Sequence, residues 1–535
     1  MLRSDRPWDA FSIGWYSIVE DAGTYKMWYY GADRDPRPTR IAGQKAPLGH
    51  LSGYVVPEGT DPQSLPEPGQ FRLCYATSVD GITWEKPHLG VVEFDGAKDN
   101  NIVHEGYKLA YVFLDSHGRD DERFKLIHWT GPGIAVATSA DGLHWNEPSH
   151  QVSSLAADTQ KMAWWEPRLN RYVVYLRVLV EKENRPQFPF AEPIESDPPV
   201  VAPKQMRPRR AVGRIEVDDI LAPWPEEEIR TVLAADERDP PNSDIYTHGL
   251  YRYPYAADAY FMFPMTYQHF RADESPVGND GLNDTHFCAS RDGIHWMRYD
   301  RKPYLPRGMG GDQDGGGTHG TEWHIRHGKY LYQFYGGDPL SHGGFRRLTL
   351  DQRQDRANWG RGFIGLAVQR LDGFVSADAE YAGGSLCTPP MVFEGDHLEL
   401  NIDVAAMGEA AVEVQDERGH PLRGFALDEC DRVMVNEVAH TVTWRGNADL
   451  SSLVGDPGAA ALGTARGQAL RFSVRSSGLS RGWISKAAPI YICRGGRNQQ
   501  FADLSTRSAP SCRPTVRHII FCFTSTTHRF FPSLR

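Results

Sequence analysis

The sequence predicts an all-β protein: a five-bladed β-propeller followed by a C-terminal β-sandwich. Three observations lead to this prediction. The 535-residue chain is rich in turn formers and large aromatics, with 52 Gly, 37 Pro, 14 Trp and 23 Tyr, a composition that favours many short strands joined by turns. One turn motif recurs at long intervals up to about residue 378, and a different pattern of alternating apolar and polar residues follows it.

The recurring turn motif reads Ser-x-Asp-Gly-x-x-Trp and follows a strand-like apolar run each time. Its Asp-Gly pair is typical of a tight hairpin turn, and we expect its Trp to return into the layer between neighbouring sheets. Full copies occupy residues 78–84, 139–145 and 290–296. One weaker copy, 217–224, lies between the second and third of these, and another, 370–374, follows the third. The five aspartates lie 61, 78, 73 and 80 residues apart: Asp80, Asp141, Asp219, Asp292 and Asp372. Several short strands per unit at such a period predict five propeller blades.

Residues 8–378 are expected to form the propeller, because each unit opens with a strand–turn–strand pattern and no long amphipathic helix is visible. Two Pro-rich segments, 34–70 and 181–210, interrupt this pattern. They are predicted to be long loops between strands of one blade. Either they form the rims of a pocket or they are solvated surface.

The alternating pattern after the propeller predicts a β-sandwich over residues 379–482. From Lys486 onward the pattern breaks, and the chain has eight Lys and Arg against one acid, together with three of the seven Cys. Residues 483–535 are therefore expected to be an atypical tail. It is either disordered or a reading-frame artefact that replaces the last sandwich strand, and it is not expected to bind nucleic acid.

Charge and composition disfavour several classes of protein. The formal net charge of −11 disfavours a nucleic-acid partner, and no apolar run approaches the roughly 18 residues of a membrane helix, so no membrane partner is expected. No secretory signal is visible, which predicts a cytoplasmic location, or secretion if the N-terminus is incomplete. Seven Cys without a Cys-x-x-Cys pair predict neither a disulfide framework nor a thiolate metal site. No metal and no other cofactor is predicted, and the sequence leaves the oligomeric state open.

Together with these turns, several short segments resemble the five-bladed propeller glycoside hydrolases of the family 32/43 type, in particular family 32-like proteins. The resemblance rests on Pro7-Trp8-Asp9, on Phe113-Leu114-Asp115-Ser116 and on Asp158-Thr159-Gln160, which stand at the openings of the first three units. Residues 384–401 resemble the segment that follows the propeller in that family, and the likeness extends over roughly residues 5–480. The repeated turns also resemble sialidase Asp-boxes. Those turns are structural, so they are not expected to carry activity.

The resemblance implies a glycosidase, a hydrolase acting on the O-glycosyl bonds of an oligo- or polysaccharide, with carbohydrate as its partner. Glycoside hydrolysis uses two carboxyl groups on either side of the scissile bond, one protonated and one ionised. Residues at the start of each innermost propeller strand converge on a central funnel, and every unit offers an acid near that point. The predicted catalytic acids are Asp9, Asp115, Asp158, Asp244 and Glu322.

The resemblance also implies roles for three of these acids. Asp9 takes the place of the nucleophile or base, although the usual Asn-Asp-Pro context is missing. Asp115 takes the place of the aspartate that holds sugar hydroxyls, but the Arg and Pro of the family's Phe-Arg-Asp-Pro motif are lost, and Arg119 or Arg123 could supply the missing cation. Asp158 stands where the family usually has a glutamic acid.

Six further residues are predicted to bind substrate: Arg119, Tyr246, His248, His319, Trp323 and His342. Asp244, Tyr246 and His248 alternate along one strand, so they are expected to face the same side. For each of these side chains, ordinary packing is the alternative to ligand contact. Two other functions stay open: a related glycan phosphorylase, which needs cations in the funnel for phosphate, and a non-catalytic carbohydrate-binding propeller.

Overall fold

The computed structural model describes residues 2–475 except 37–38, 42–53, 66, 132, 156, 181–208, 237, 241, 257–258, 271–279, 300, 320–322, 360–361, 380–382, 389–391, 394, 405–407, 456–458 and 466. Nearly all of the regular structure in this part of the chain is β-strand. The one α-helix among these residues is α1 (Leu350–Gln354), and the remaining helical turns are short 3₁₀ segments such as Pro7–Asp9. Across the described ranges, no helix is long and apolar enough to cross a membrane.

Three sheets follow one another along the first half of the chain. The first has the order β1-β2-β5-β6, the second β7-β8-β9 and the third β10-β11-β12-β13, all with antiparallel neighbours. A parallel pair, β3 and β4, lies between β2 and β5. The strands are β1 (Ser12–Asp21), β2 (Thr24–Ala32), β3 (Thr39–Ile41), β4 (Tyr54–Val56), β5 (Phe71–Ser78), β6 (Ile102–Glu105), β7 (Lys108–Leu114), β8 (Phe124–Trp129), β9 (Ile134–Ser139), β10 (Met162–Glu166), β11 (Arg171–Val180), β12 (Arg209–Val217) and β13 (Arg230–Leu233).

The next two units are joined by hydrogen bonds. Strands of the fourth unit are interrupted, so that β14, β17 and β18 belong to one sheet and β15, β16, β19 and β20 to another. One parallel pairing, Asn283 to Gly317, connects β18 to β21 of the fifth unit, where β21 and β22 both pair with β23, and β23 with β24. The strands are β14 (Ser243–Thr247), β15 (Leu250–Arg252), β16 (Tyr260–Met262), β17 (Met265–His269), β18 (Gly281–Thr285), β19 (Cys288–Ser290), β20 (Met297–Arg298), β21 (Gly317–His319), β22 (His324–His327), β23 (Tyr330–Asp338) and β24 (Phe363–Arg370).

Apolar side chains fill the layers between successive units and close them into a ring. One cluster joins the first and second sheets through Trp28 and Phe124, and another joins the strands β22–β24 back to the first sheet through Ile325 and Ile18. Leu2 completes this closure, because its N–H donates to the Ile364 carbonyl and its carbonyl accepts from the Ile364 N–H. The predicted all-β propeller class is confirmed. The number of blades stays a prediction, since the fourth and fifth units share a seven-stranded sheet.

Two further sheets follow the propeller, in the orders β25-β31-β27-β29 and β26-β30-β28. Leu400 of the first and Val412 of the second belong to one buried core that also contains Trp444. The strands are β25 (Ala377–Ala379), β26 (Gly384–Cys387), β27 (His397–Asp403), β28 (Glu409–Gln415), β29 (Asn436–Thr441), β30 (Ala459–Ala465) and β31 (Gly467–Arg475). The domain boundaries stay predictions, and the tail 483–535 lies outside the described residues.

The three full copies of the turn motif have the same hydrogen bonds. Asp141 Oδ1 accepts from the backbone N–H groups of Leu143 and His144 at 2.8 and 2.9 Å, and the Gly142 N–H donates to Ser139 Oγ at 2.9 Å. The turns at Asp80 and Asp292 repeat this pattern. Each turn packs against a neighbouring unit.

The contacts around these turns show how neighbouring units lock together. The Trp28 indole donates to the Gly142 carbonyl at 2.7 Å, and the Tyr175 hydroxyl donates to the Gly293 carbonyl at 2.7 Å. The prediction that the motif's Trp enters the inter-sheet layer is also confirmed, since Trp145 packs on the cluster between the first and second sheets. The weak fifth copy differs, because Asp372 binds the Arg326 guanidinium instead of turn amides.

Candidate functional site

A solvent-open cavity lies where the sheets meet. It draws residues from the first, fourth and fifth units and from the segment that precedes β10. Its polar and aromatic lining includes Trp15, Tyr30, Gln160, Thr247, His319 and Asp338. Residues of several units therefore converge on this cavity, and His319 is the predicted site residue in its lining.

The indole of Trp15 enters this cavity because β1 is irregular at that residue. The β1–β2 register shifts between Gly14 and Tyr16, and Trp15 has φ of 38°, which is rare for a residue with a side chain. A β-bulge of this kind redirects a side chain, and the Trp15 ring centroid lies 5.6 Å from that of His319. Such strained positions cluster at functional sites.

His319 and Asp338 form the polar wall opposite Trp15. The two residues lie on the neighbouring strands β21 and β23, and His319 Nε2 is 3.5 Å from Asp338 Oδ2. Burial lowers the pKa of His319, an effect that the Asp338 carboxylate opposes. The imidazole is therefore neutral near pH 7 and can both donate and accept a hydrogen bond.

Asp158 lies just before the innermost strand β10 of the third sheet, as predicted. Its carboxylate forms an ion pair with Arg177 of β11, and its side chain is 45% exposed. Two residues further on, Gln160 lines the cavity. Of the predicted catalytic acids that the structure describes, Asp158 is the half-exposed one, since Asp9, Asp115 and Asp244 are buried.

Asp244, Tyr246 and His342 lie close together, and the first two shortly precede the cavity-lining residue Thr247 in the sequence. Asp244 Oδ2 accepts from Arg210 at 2.7 Å and is 2.9 Å from His269 Nε2. Burial raises the pKa of Asp244, but His269 and Arg210 outweigh that effect and leave it below its ordinary value. The Tyr246 hydroxyl lies 3.1 Å from His342 Nε2.

The predicted common face of Asp244, Tyr246 and His248 is not observed. The pairing of β14 shifts between Ile245 and Thr247, and Thr247 is the residue of this strand that lines the cavity. His248 is 1% exposed, and its Nε2 lies 3.2 Å from the Gln160 carbonyl. Burial lowers its pKa to about 3, so its imidazole is neutral.

Asp115 follows its strand instead of preceding it, which corrects the predicted position. β7 ends at Leu114, and the Asp115 carboxylate accepts from Tyr172 at 2.8 Å and pairs with Lys125 at 3.1 Å. Arg123, in the hairpin that follows Asp115, forms an ion pair with Asp21, the last residue of β1. The cavity, in contrast, lies at the first residues of β1. At about 3.3 Å per residue, the two ends of β1 are more than about 20 Å apart.

Asp9 precedes β1 as predicted, but its carboxylate faces the interior of the first unit. Asp9 Oδ2 accepts from Lys86 at 2.6 Å and from the Tyr29 hydroxyl at 3.1 Å, and the residue is fully buried. Burial raises the pKa of this carboxyl, while Lys86 opposes the rise. The arrangement resembles a buried structural ion pair.

The remaining predicted site residues divide between surface, core and undescribed chain. Arg119 is exposed and pairs with Asp121 at 2.6 Å on the hairpin after β7. Trp323 packs between the fourth and fifth units, with its ring centroid 6.1 Å from that of Tyr251. Glu322 lies outside the described residues. Among those that are described, no group of three or more His, Cys, Asp or Glu is placed to hold a metal ion.

Five of the six cavity residues named above were not predicted as site residues: Trp15, Tyr30, Gln160, Thr247 and Asp338. The available signals were weak. Trp15 and Tyr30 stand in long apolar strands, and Asp338 follows the Gly336-Gly337 pair at the end of β23. Only the register of β23 with β21 brings Asp338 beside His319.

The chain matches no protein-family profile and no curated protein. It is similar in fold to solved structures at 12% identity. One is described as a glycoside hydrolase, with TM-score 0.39, covering 70% of this chain and 94% of that one. A second is a glycoside hydrolase family 43 arabinoxylan arabinofuranohydrolase from Bacillus subtilis in complex with cellotetraose, with TM-score 0.38, 88% of this chain and 98% of that one. A third is the catalytic domain of Coprinopsis cinerea GH62 alpha-L-arabinofuranosidase. Its TM-score is 0.35, and the match covers 66% of this chain and 90% of that one.

Proposed function

We propose that the protein is a glycan-active enzyme that hydrolyses a glycosidic bond in the central cavity. One observation carries this proposal: a solvent-open cavity where the units converge is lined by a carboxylate, an imidazole and an indole, those of Asp338, His319 and Trp15. Asp158, which is 45% exposed, precedes the lining residue Gln160 by two residues. Two carboxyl groups and an apolar face for a sugar ring are what glycoside hydrolysis requires.

Within this proposal, Asp158 and Asp338 are the pair of carboxyl groups that act on the scissile bond. One protonates the leaving oxygen, and the other acts as nucleophile or activates water. Neutral His319 hydrogen-bonds to a sugar hydroxyl, and the Trp15 ring supports the apolar face of the sugar. Asp244, Tyr246 and His342 would line the route to a neighbouring sugar.

The distribution of cations favours hydrolysis over phosphorolysis. A phosphorylase needs several cations around a bound phosphate. Arg119, Arg123 and Lys125 all lie near the hairpin after β7, where Arg119 and Lys125 pair with Asp121 and Asp115. Around the proposed site, Arg177 pairs with Asp158 and Arg210 with Asp244, and the buried Lys161 ammonium donates to backbone carbonyls. These three cations are therefore already engaged by groups of the protein.

The test is a screen on aryl glycosides and oligosaccharides with analysis of the new reducing ends. Asp158→Asn and Asp338→Asn each remove a charge with little change of shape, so each should fold and lose activity by about 10²-fold or more. Asp218→Asn is the matched control, because Asp218 pairs with Arg171 of the same strand β11, at the exposed end far from the cavity. It should keep near wild-type turnover.

Other outcomes would redirect the proposal. Sugar binding without turnover indicates a binding propeller, and release of a sugar phosphate that depends on added phosphate indicates a phosphorylase. If Asp158→Asn is harmless while Glu322→Gln or Asp244→Asn abolishes turnover, the catalytic acid belongs to the fifth or fourth unit. If all of these variants are fully active, the cavity is not the catalytic site.

A further inference from the structure

A lysine is fully buried directly beside the proposed catalytic segment. Lys161 has 0% exposure, and its ammonium donates to the carbonyl oxygens of Ala157 at 3.1 Å and Thr159 at 2.7 Å. These two carbonyls stand immediately before and after Asp158. Burying an ammonium costs several kcal/mol unless hydrogen bonds compensate it, so a methionine of similar length would be the cheaper residue if packing were the only requirement.

The fourth unit holds the same segment from its other side. His248 Nε2 lies 3.2 Å from the Gln160 carbonyl, and the Gly249 N–H donates to Gln160 Oε1 at 2.8 Å. Since the His248 imidazole is neutral and a carbonyl only accepts, the proton must be on Nε2. Buried donors therefore hold the backbone carbonyls of Ala157, Thr159 and Gln160, which lie on both sides of Asp158.

We propose that Lys161 is a positioning residue that fixes the backbone on both sides of Asp158 and so orients its carboxylate for the reaction. This inference rests on the proposed function. The Lys161 ammonium binds the carbonyl of the residue before Asp158 and that of the residue after it. These charge-assisted hydrogen bonds restrict the backbone rotations that set the direction of the Asp158 side chain. A displacement of about 1 Å at a reacting group can cost about 10²-fold in rate.

The ammonium is surrounded by groups that set its protonation. Asp158 and Arg177 act on it from the third sheet with opposite sign, and His128 of β8 and His248 lie close enough to interact with its charge. Burial lowers the pKa of Lys161 to about 7, which Asp158 opposes. The charge-assisted hydrogen bonds to the two carbonyls therefore weaken as the pH rises through neutrality.

The test compares Lys161→Met with Lys161→Gln, which keeps a donor, and with Lys125→Met. Lys125 is the matched control, a buried lysine that also donates to a backbone carbonyl, that of Glu122 at 2.6 Å. Amide hydrogen exchange is measured on peptides covering residues 155–163. Lys161→Met should speed exchange there by about tenfold or more, Lys161→Gln should do so less, and Lys125→Met should not.

Turnover of the substrate found in the screen supplies the second readout. Lys161→Met should lower kcat by about 10²-fold with little change of KM, and Lys161→Gln should restore part of it. The wild-type kcat should fall as the pH rises above 7, and this fall should be absent in Lys161→Met. If exchange responds but no glycosidase substrate is found, the positioning of the segment stands and the proposed function fails. Unchanged exchange, or loosened exchange with full turnover, overturns the inference. If Lys161→Met does not fold, Lys161→Gln decides by the same criteria.

Discussion

Gly142→Ala should be far more destabilising than another glycine substitution with the same backbone angle. Gly142 has φ of 81°, and an added Cβ would lie 2.5 Å from Cζ2 of Trp28, a side chain that is 1% exposed. Gly23, in the turn between β1 and β2, has φ of 80° and no heavy atom within 4 Å of such a Cβ. The pair separates backbone strain from crowding of the layer between the first and second sheets.

The expected magnitudes follow from these contacts. Both substitutions place alanine in the left-handed region at about 1–2 kcal/mol. Gly142→Ala also forces Trp28 to move, which costs about 1–3 kcal/mol as overpacking, and loses about 1 kcal/mol with the hydrogen bond from the indole to the Gly142 carbonyl. We expect a loss of about 3–6 kcal/mol for Gly142→Ala against about 1–2 kcal/mol for Gly23→Ala, measured by urea unfolding followed by circular dichroism. Equal losses would refute the view that this turn locks the two sheets.

Three other substitutions or conditions test separate parts of the structure. Asp292→Ala should lower the free energy of unfolding by about 1–2 kcal/mol through lost turn hydrogen bonds and leave turnover intact; loss of turnover in a folded variant would contradict a structural role. Arg370→Met should weaken the joint between β24 and β27, where Arg370 Nη2 donates to the Ile402 carbonyl at 2.9 Å, and a separate early unfolding transition of the C-terminal sheets should appear in calorimetry. Acid should destabilise the protein below pH 6.5, because four buried histidines stay neutral in the folded protein but bind protons in the unfolded chain. Each of them should lower the free energy of unfolding by up to about 1.4 kcal/mol for every pH unit below that value. His324→Phe should remove one such share, and an unchanged slope of stability against pH would count against this origin. These histidines, with pKa values lowered by burial to about 3 or 4, are His128, His248, His286 and His324.

The turn motif could be predicted from the sequence because its interactions are local. In the copy at residues 139–145, the Asp141 carboxylate accepts hydrogen bonds from backbone N–H groups that lie within three residues of it. Residue types at fixed short spacing are sufficient to specify such a turn. The same locality made the strand–turn–strand units visible.

The candidate site was harder to predict because it depends on register. Phe113 and Leu114 look like the start of a strand, but β7 already begins at Lys108, which moves Asp115 to the opposite end. The bulge that turns Trp15 toward the cavity is caused by pairing with β2 and leaves no mark in the residue pattern. A one-residue change of register reverses which face a side chain occupies, so a correct order of strands does not by itself predict which acids meet.

The pairing of Leu2 with Ile364 has a consequence for how the protein is made. During synthesis at the ribosome, Leu2 is made roughly 360 residues before its partner Ile364. Closing so long a loop costs about 3 kcal/mol more entropy than closing a loop of ten residues. Until then, the edge of the first sheet and the apolar face around Ile18 have no cover from the fifth unit. The nascent chain therefore exposes an unpaired strand edge and apolar surface for most of its synthesis, and this is the stage at which a chaperone would protect it most.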